Sequence, residues 1–471
     1  MNTTMICPKD FIRYNAGGDI VKVHSVLGSR KEKMYTQIRY KKEILDKSEE
    51  NGNYYSDYKS VITNKNDDVI SYAIPRSVEM ELFMEENPAA DCVVEEFVEG
   101  TMVSLFYDKT SDNLYVPELE ELIGSDNADN AGWNISTRAS VGAKNSFYKS
   151  YDGGATTASF AKLFIDCAKQ SDLDLSKLNK NLCYNFVIKH TDNKIVNTIR
   201  TNSLYIIGVY EIVSNPGNTF TINKVPSTCE TTMLSHAKIN RPTLFDGDGI
   251  FDWDDLHERY NFIDKEECNV FEYNMQNNII LMGYIIKNEK TGRHTKLRNP
   301  VYEYMRTLRG NQPKLEHHYL SLRQDKKVQE FIHVFPEYKE VFDGFLQKIV
   351  EYTQELNRLY IQLNVTKKAE FKDISYEYRQ HINAIHYKYR TELRGKGESL
   401  QTNDFIEYVN ALHPSKLMFA LNFKKRKYDA NSSEPCSTSN PNLSPSPSPS
   451  PSPSPSPNAK AYPKYKKAVI C

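Results

Sequence analysis

The sequence predicts an α+β protein: a strand-rich domain first, a helical domain after it, and a disordered Ser-Pro tail. Three observations predict this order. From Ser60 to about Ile286, apolar residues alternate with polar ones between Asn, Asp and Gly clusters, as half-buried strands do. After about Gly310 the apolar spacing changes to steps of three and four, the period of amphipathic helices. Residues 444–457 alternate Ser and Pro, so every second backbone N–H is missing and neither a helix nor an inner strand can form.

Taken in order, residues 1–54 are an N-terminal segment of mixed charge and weak periodicity, with NAGGD (15–19) as a turn. The strand-rich domain is assigned to 55–325. Its first element, SVITNKNDDVISYAIP (60–75), reads as a hairpin: two alternating runs about an Asn/Asp cluster. EEFVEGTMVSLFYD (95–108) reads as a strand that bends at Glu99-Gly100 and continues. WNISTRASVG, LCYNFVIKHTDNKIV, SLYIIGVYEIV and NIILMGYIIKNEKTGRHTKL repeat the strand character. ATTASFAKLFIDCAKQ (155–170) interrupts them with Ala, Leu and Phe at helical spacing and a threonine as the expected cap. A helical domain is assigned to 326–428, carried by three runs starting at Asp325, Ser375 and Asn403. Residues 429–471 are the tail: an extended polyproline-like spacer with a basic end.

Composition bounds the function. Net charge is −1, so attraction to a polyanion would have to come from a local basic face. The eight cysteines are scattered without a C-x-x-C pair or a Cys/His cluster of zinc spacing, which argues for an intracellular, reducing setting, cytoplasmic or nuclear. No apolar run approaches a membrane span, MNTTMICPKDFIRYN lacks the apolar stretch of a signal peptide, and the final cysteine is misplaced for prenylation, so no membrane partner is expected. His317-His318 has no third ligand at a useful spacing. The stretch 290–327 is rich in Lys and Arg, with Tyr302, Tyr304 and Tyr319 interleaved. Cations that track phosphates and aromatics that stack bases would suit RNA or single-stranded DNA, with Arg293, Arg306 and Arg309 as contacts; a solvated cationic face over core tyrosines explains the pattern equally. FKKRKYD (423–429) reads as a nuclear-import signal, a nucleic-acid contact or a solvated helix end.

Four stretches, in order, carry a family likeness: Phe97-Val98-Glu99-Gly100-Thr101; ISTRASVGAKN, with Ser136, Thr137 and Arg138; YNFVIKHTDNKIV followed by LYIIGVYEI; and LMGYIIKNEKTGRHTKLRNPVYEY, with Gly283, Tyr284, Lys287, Lys296 and Arg298. Together they resemble the nucleotidyltransferase domain of RNA ligases, particularly divergent RNA-ligase-like proteins of phages and large DNA viruses. The resemblance covers roughly residues 55–325. It implies an ATP-grasp-like ligase fold that binds ATP with Mg, and RNA or nicked nucleic acid as partner, in the host cell if the chain is viral. The helical domain and the Ser-Pro tail are then the expected places for protein partners.

In that family a lysine amine attacks the α-phosphate of ATP or GTP, and the first motif reads K-x-D-G-[ST]. Here Phe97 occupies the lysine position and Glu99 the aspartate position. Met282 stands where a glutamate should precede Gly283. The resemblance implies that Glu99, Gly100, Thr101, Arg138, Lys287, Lys296 and Arg298 bind nucleotide, with Glu99 also near a metal ion. Lys59 and Lys109 are alternative amines, but neither has the G-[ST] partner. The expected activity is therefore binding of ATP or RNA ends with covalent transfer in doubt. The alternatives are a non-catalytic RNA-binding or scaffolding protein and a relative of the mRNA-capping guanylyltransferases.

Overall fold

The structure, a computed structural model, describes residues 3–14, 21–27, 33–41, 55–110, 116–123, 132–146, 158–245, 252–260, 271, 279–310, 312 and 314–423. NAGGD, the Ser-Pro tract and FKKRKYD beyond Phe423 lie outside the described residues.

Its strands are β1 (Thr3–Ile6), β2 (Val21–Leu27), β3 (Lys33–Tyr40), β4 (Val61–Thr63), β5 (Val69–Tyr72), β6 (Cys92–Glu96), β7 (Thr101–Tyr107), β8 (Trp133–Thr137), β9 (Ser140–Val141), β10 (Leu182–Lys189), β11 (Ser203–Asn215), β12 (Thr219–Lys224), β13 (Gly283–Asn288) and β14 (His294–Arg298). The helices are α1 (Pro8–Tyr14), α2 (Met80–Glu86), α3 (Phe160–Gln170), α4 (Ser227–Met233), α5 (Trp253–Arg259), α6 (Pro300–Arg309), α7 (Leu315–Gln324), α8 (Val328–Val334), α9 (Lys339–Tyr360), α10 (Tyr376–Lys388), α11 (Thr402–Ala411) and α12 (Pro414–Leu421). The α+β class holds, with strands concentrated before residue 300 and helices after it.

The strands make three antiparallel sheets: seven strands in the order β1-β12-β11-β10-β7-β8-β9, four in the order β2-β3-β4-β5, and three in the order β14-β13-β6. Alternation decides what each sheet buries. On β10, Leu182, Tyr184, Phe186 and Ile188 join Leu163 and Phe164 of α3 in one apolar layer. Cys183 points to the opposite face, where it packs with Tyr35 and Ile62 of the four-stranded sheet. Asn185, also on that face, donates from Nδ2 to the Tyr72 carbonyl at 3.0 Å, so its buried amide is satisfied. The three-stranded sheet buries Cys92, Val94 and Ile286 against Phe83 and Leu256.

Several expectations change in detail. The 60–75 hairpin forms as β4 and β5, but two strands and a helix also form within residues 1–27, and β3 follows. They carry no clean alternation, because apolar Met5, Val23 and Leu27 are exposed while polar Thr36 and Gln37 are buried. Ser159, rather than a threonine, caps α3: its Oγ accepts the Lys162 N–H at 3.3 Å. Thr156 and Thr157 are outside the described residues. Helix begins at Pro300, ahead of the change in period, because Asn299 accepts the Val301 N–H at 3.0 Å with proline at the first helical position.

The helical part has one continuous core that includes Tyr302, Met305, Phe331, Phe342, Leu356, Ile382 and Val409. Val196 and Ile280, from the strand-rich part, belong to the same core. Residues 1–421 form one compact unit. The five described cysteines are unpaired, and no described helix is long and apolar enough to cross a membrane.

Candidate functional site

The site grows from the three-stranded sheet. Register places Glu95, Ile285 and Lys296 in one cross-strand row, and Val93, Lys287 and His294 in the next. Gly283 pairs with Arg298, and the Phe97 N–H donates to the Gly283 carbonyl at 3.0 Å. The series Glu95-x-Phe97, Ile285-x-Lys287 and His294-x-Lys296-x-Arg298 thus emerge on one face, because successive side chains on a strand alternate. The other face is the apolar layer around Val94 and Ile286.

Opposite this face stand Met102 of β7, Val187 of β10, Tyr210 of β11 and Lys224 of β12, with Lys59 from the segment before β4. They enclose a cavity of about 190 Å³. The chain crosses from the three-stranded to the seven-stranded sheet through residues 97–100, at the cavity wall. Gly100 makes the crossing possible. Its φ is +151°, and a Cβ there would lie 2.3 Å from the Ile188 carbonyl oxygen. Gly283, at φ +141°, similarly lets β13 approach the Leu297 carbonyl.

Cations dominate the cavity. Lys59, Lys224, Lys287 and Lys296 line it, as do Glu95 and Glu96. Both acids are already engaged: Glu95 ion-pairs with Lys287, and Glu96 with Lys189 at 3.5 Å. Burial first, and like charge second, depress the unpaired amines. Lys296 is pushed down to about 7, with Lys59 and Arg298 adding repulsion. Lys59 falls to about 8 through burial and Arg138, and Lys224 to about 8 through burial and Lys287. Burial and four neighbouring lysines hold His294 well below its usual range, hence neutral. The Lys296 Nζ sits 4.4 Å from the centroid of the Phe97 ring and the Arg298 guanidinium 5.6 Å from it.

Of the sequence-derived positions, Phe97, Gly100, Lys287 and Lys296 meet at the cavity, with Arg298 against the Phe97 ring. Arg138 lies behind Lys59, its guanidinium 4.7 Å from the Tyr40 ring centroid and its Nε without a hydrogen-bond partner. Glu99 points the other way. Its carboxylate accepts the Val196 N–H at 2.8 Å, the Asn197 N–H at 3.1 Å and the Asn197 side-chain amide. Thr101 Oγ1 accepts from Asn193 Nδ2 at 3.0 Å. Glu99 and Thr101 therefore fasten the crossing to segment 193–197, and neither lines the cavity of the four lysines.

The outer arginines are engaged by acids or buried. Arg293 pairs with Glu86, Arg306 with Glu303 at 2.5 Å, and Arg298 also with Glu303 at 2.9 Å. Arg309, expected at a nucleic-acid surface, is 4% exposed and so does not present its charge there. Tyr302 and Tyr319 are core residues and offer no ring face to a base. His318 donates to the Leu308 carbonyl at 2.8 Å while His317 faces Ser415, so the two imidazoles serve separate contacts. No cluster of three His, Cys, Asp or Glu able to hold a metal ion occurs among the described residues.

Lys224 is not among the sequence-derived positions, although its signal is present. Phe220-x-Ile222-x-Lys224 continues a buried face by period two, which puts an amine where an apolar residue is expected. Lys59 is among the candidate amines but has no comparable spacing signal.

A second cavity, of about 290 Å³, lies across the crossing. It shares Glu96, Phe97 and Met282 with the first and adds Glu99, Lys189, Arg200, Ser203, Tyr205 and Ile280, so Glu99 lines this cavity and not the first.

No protein-family model and no curated protein matches the chain. Among solved structures it is similar to an archaeal ATP-dependent RNA ligase in two forms. The first form is 11% identical, with a TM-score of 0.37 over 89% of this chain and 96% of that one; the second has the same identity and score over 86% and 79%. It is also similar to a mutant Naegleria gruberi RNA ligase with ATP and Mn, at 9% identity and a TM-score of 0.29 over 60% and 76%. These overlaps are loose, and the functional reading rests on the residues of the site.

Proposed function

We propose that this chain is an RNA-ligase-like nucleotidyltransferase-fold protein whose lysine-lined cavity binds the phosphates of ATP or of an RNA end. The observation that carries the reading is the convergence of Lys59, Lys224, Lys287 and Lys296 on one small cavity whose two acids are both already paired. Three of those amines are held below their usual range, so the cluster by itself is electrostatically unfavourable. An anion would relieve it, as charge-assisted hydrogen bonds from lysine to phosphate replace mutual repulsion.

The adjoining cavity supports a nucleoside beside the phosphates. Tyr205, Ile280 and Met282 provide apolar surface, and Thr201 and Ser203 provide polar groups. A magnesium ion would arrive with the phosphates, since such ions are held by phosphate oxygens and one or two carboxylates; Glu95 is the nearest to the lysines. When bound, the ion would offset phosphate charge. Phe97 has no atom that can form a phosphoramidate, so transfer to position 97 is excluded by its chemistry.

Equilibrium dialysis of the full chain against labelled ATP, inorganic tripolyphosphate and 5′-phosphorylated RNA tests the reading. Binding should weaken at least tenfold in the Lys224→Met, Lys296→Met double variant, and competition by tripolyphosphate should identify the phosphates as the recognised group. Affinity unchanged in the double variant would refute it.

A further inference from the structure

We infer that the phosphate site runs on past the lysine cavity into an outer cleft, so that it takes an unbranched chain of more than three phosphates: an inorganic polyphosphate or the tail of a nucleoside tetraphosphate. The inference rests on the phosphate-binding reading above and adds to it the length of chain that the site accepts.

The lysine cavity has two ends. At one it shares Glu96, Phe97 and Met282 with the second cavity. At the other it shares Lys224 and Lys287 with a cleft of about 370 Å³, which adds Val225, Pro226, Ser227, Thr228, Glu289 and Lys290. Strand ends build this outer cleft. β12 stops at Lys224 and residues 225–228 follow it; β13 stops at Asn288, and Glu289 and Lys290 follow in the turn before β14. Register sets the direction. Ile285 pairs with Lys296 and Lys287 with His294, so Lys287 stands one same-face step, about 7 Å, beyond Lys296 toward that turn.

Two lysines meet at the boundary. Lys287 is committed to Glu95, which lines the lysine cavity. Lys224 contacts Lys287, makes no ion pair among the described residues, and lines both spaces. A phosphate at this boundary accepts from both amines and replaces their repulsion, and its neighbours in the chain then lie one in each space. Farther out, Ser227 and Thr228 supply hydroxyl donors. Lys290 is held by Asp91 at 2.6 Å and Glu289 adds an acid, so the attraction is centred on Lys224 and Lys287 and not on the rim. No aromatic side chain lines the outer cleft, so a base has no ring to stack on there. A bare phosphate chain fits it better than a nucleic-acid strand.

Equilibrium dialysis of the full chain tests the inference with linear tripolyphosphate, linear tetraphosphate, ATP and adenosine 5′-tetraphosphate. Cyclic tetrametaphosphate, four phosphates in a compact ring, controls for charge alone, and a single-stranded RNA with a 5′-hydroxyl stands for a nucleic-acid strand. Linear tetraphosphate should bind at least tenfold tighter than tripolyphosphate, and the ring should not share the gain. A like gain of adenosine 5′-tetraphosphate over ATP assigns the chain to a nucleotide, and a gain for the inorganic chain alone assigns it to free polyphosphate; either supports the inference. Thr228→Asp puts an acid in the outer cleft at an exposed residue outside the lysine cavity. It should cut the gain to less than about twofold and leave tripolyphosphate affinity within about threefold. Equal affinity for three and four phosphates, an equal gain for the ring, a gain that Thr228→Asp does not move, or RNA binding tighter than tetraphosphate overturns the outer cleft and leaves the phosphate-binding reading intact. Absence of binding by every linear phosphate chain overturns the reading beneath it.

Discussion

Replacing Glu99 with alanine tests whether this acid is a fastener or a ligand for something bound. Its carboxylate is buried and accepts two backbone N–H groups and one side-chain amide from Val196 and Asn197. Asn197 in turn clasps Ile280, accepting its N–H at 2.7 Å and donating to its carbonyl at 2.9 Å. Alanine would strand these donors, each at about 1–3 kcal/mol, and the expected loss is about 3–5 kcal/mol. Burial holds the Glu99 carboxyl above its usual range in spite of the donors, so folding favours its neutral form. Glutamine should therefore cost less, about 1–2 kcal/mol, by keeping one acceptor without the charge. Hydrogen exchange read by mass spectrometry over 193–200 and 279–282 is the appropriate assay. Protection there should fall about a hundredfold to several thousandfold in Glu99→Ala, at roughly 1.4 kcal/mol per tenfold, and much less in Glu99→Gln. If Glu99→Ala leaves exchange in both segments unchanged, or if glutamine is as damaging as alanine, the fastener interpretation fails.

Gly100→Ala should cost more than about 3 kcal/mol, seen as loss of folded protein or a much lower denaturation midpoint, because φ is +151° and the new Cβ meets the Ile188 carbonyl at 2.3 Å. Stability and anion affinity should move oppositely with pH. Lys59, Lys224 and Lys296 have folded values near 7–8, below their unfolded ones, so the unfolded chain holds more protons between about pH 7 and 10. Urea melts should then show the ligand-free protein gaining stability across that window, while dialysis shows tripolyphosphate binding weaken. Lys224→Met should stabilise by about 1–2 kcal/mol in urea melts, since the unpaired amine is a net cost, and should weaken anion binding. Lys287→Met should instead destabilise by about 3–5 kcal/mol, because it leaves Glu95 without its ion-pair partner.

Local pattern made much of this legible. Alternation located β7, β10 and β11, and helical spacing located α3 and α9, since in each the side chains on one face are buried together. The resemblance singled out Lys287, Lys296 and Arg298, and strand alternation brings them to the face of the three-stranded sheet that carries Phe97. It failed where side-chain direction depends on a distant partner. Glu99 reads as a cleft acid in its motif, yet segment 196–197 supplies three donors and holds it at the second cavity, away from the four lysines. Arg309 belongs to a basic run, but the helix phase of α6 places it on the buried side. Sheet membership also escaped: nothing local says that β6 and β7, four residues apart, belong to different sheets.

The shared core of Val196 and Ile280 with the C-terminal helices has a practical consequence for cutting the chain. A truncation ending near residue 325 would remove the partners of those two residues and of Tyr302 and Met305, which lie on the retained side. The retained fragment would expose a freshly opened apolar surface just behind the Glu99 fastening, and aggregation or loss of binding in it would report that wound rather than the chemistry of the site. Dissection by point substitution in the intact protein keeps the two effects apart.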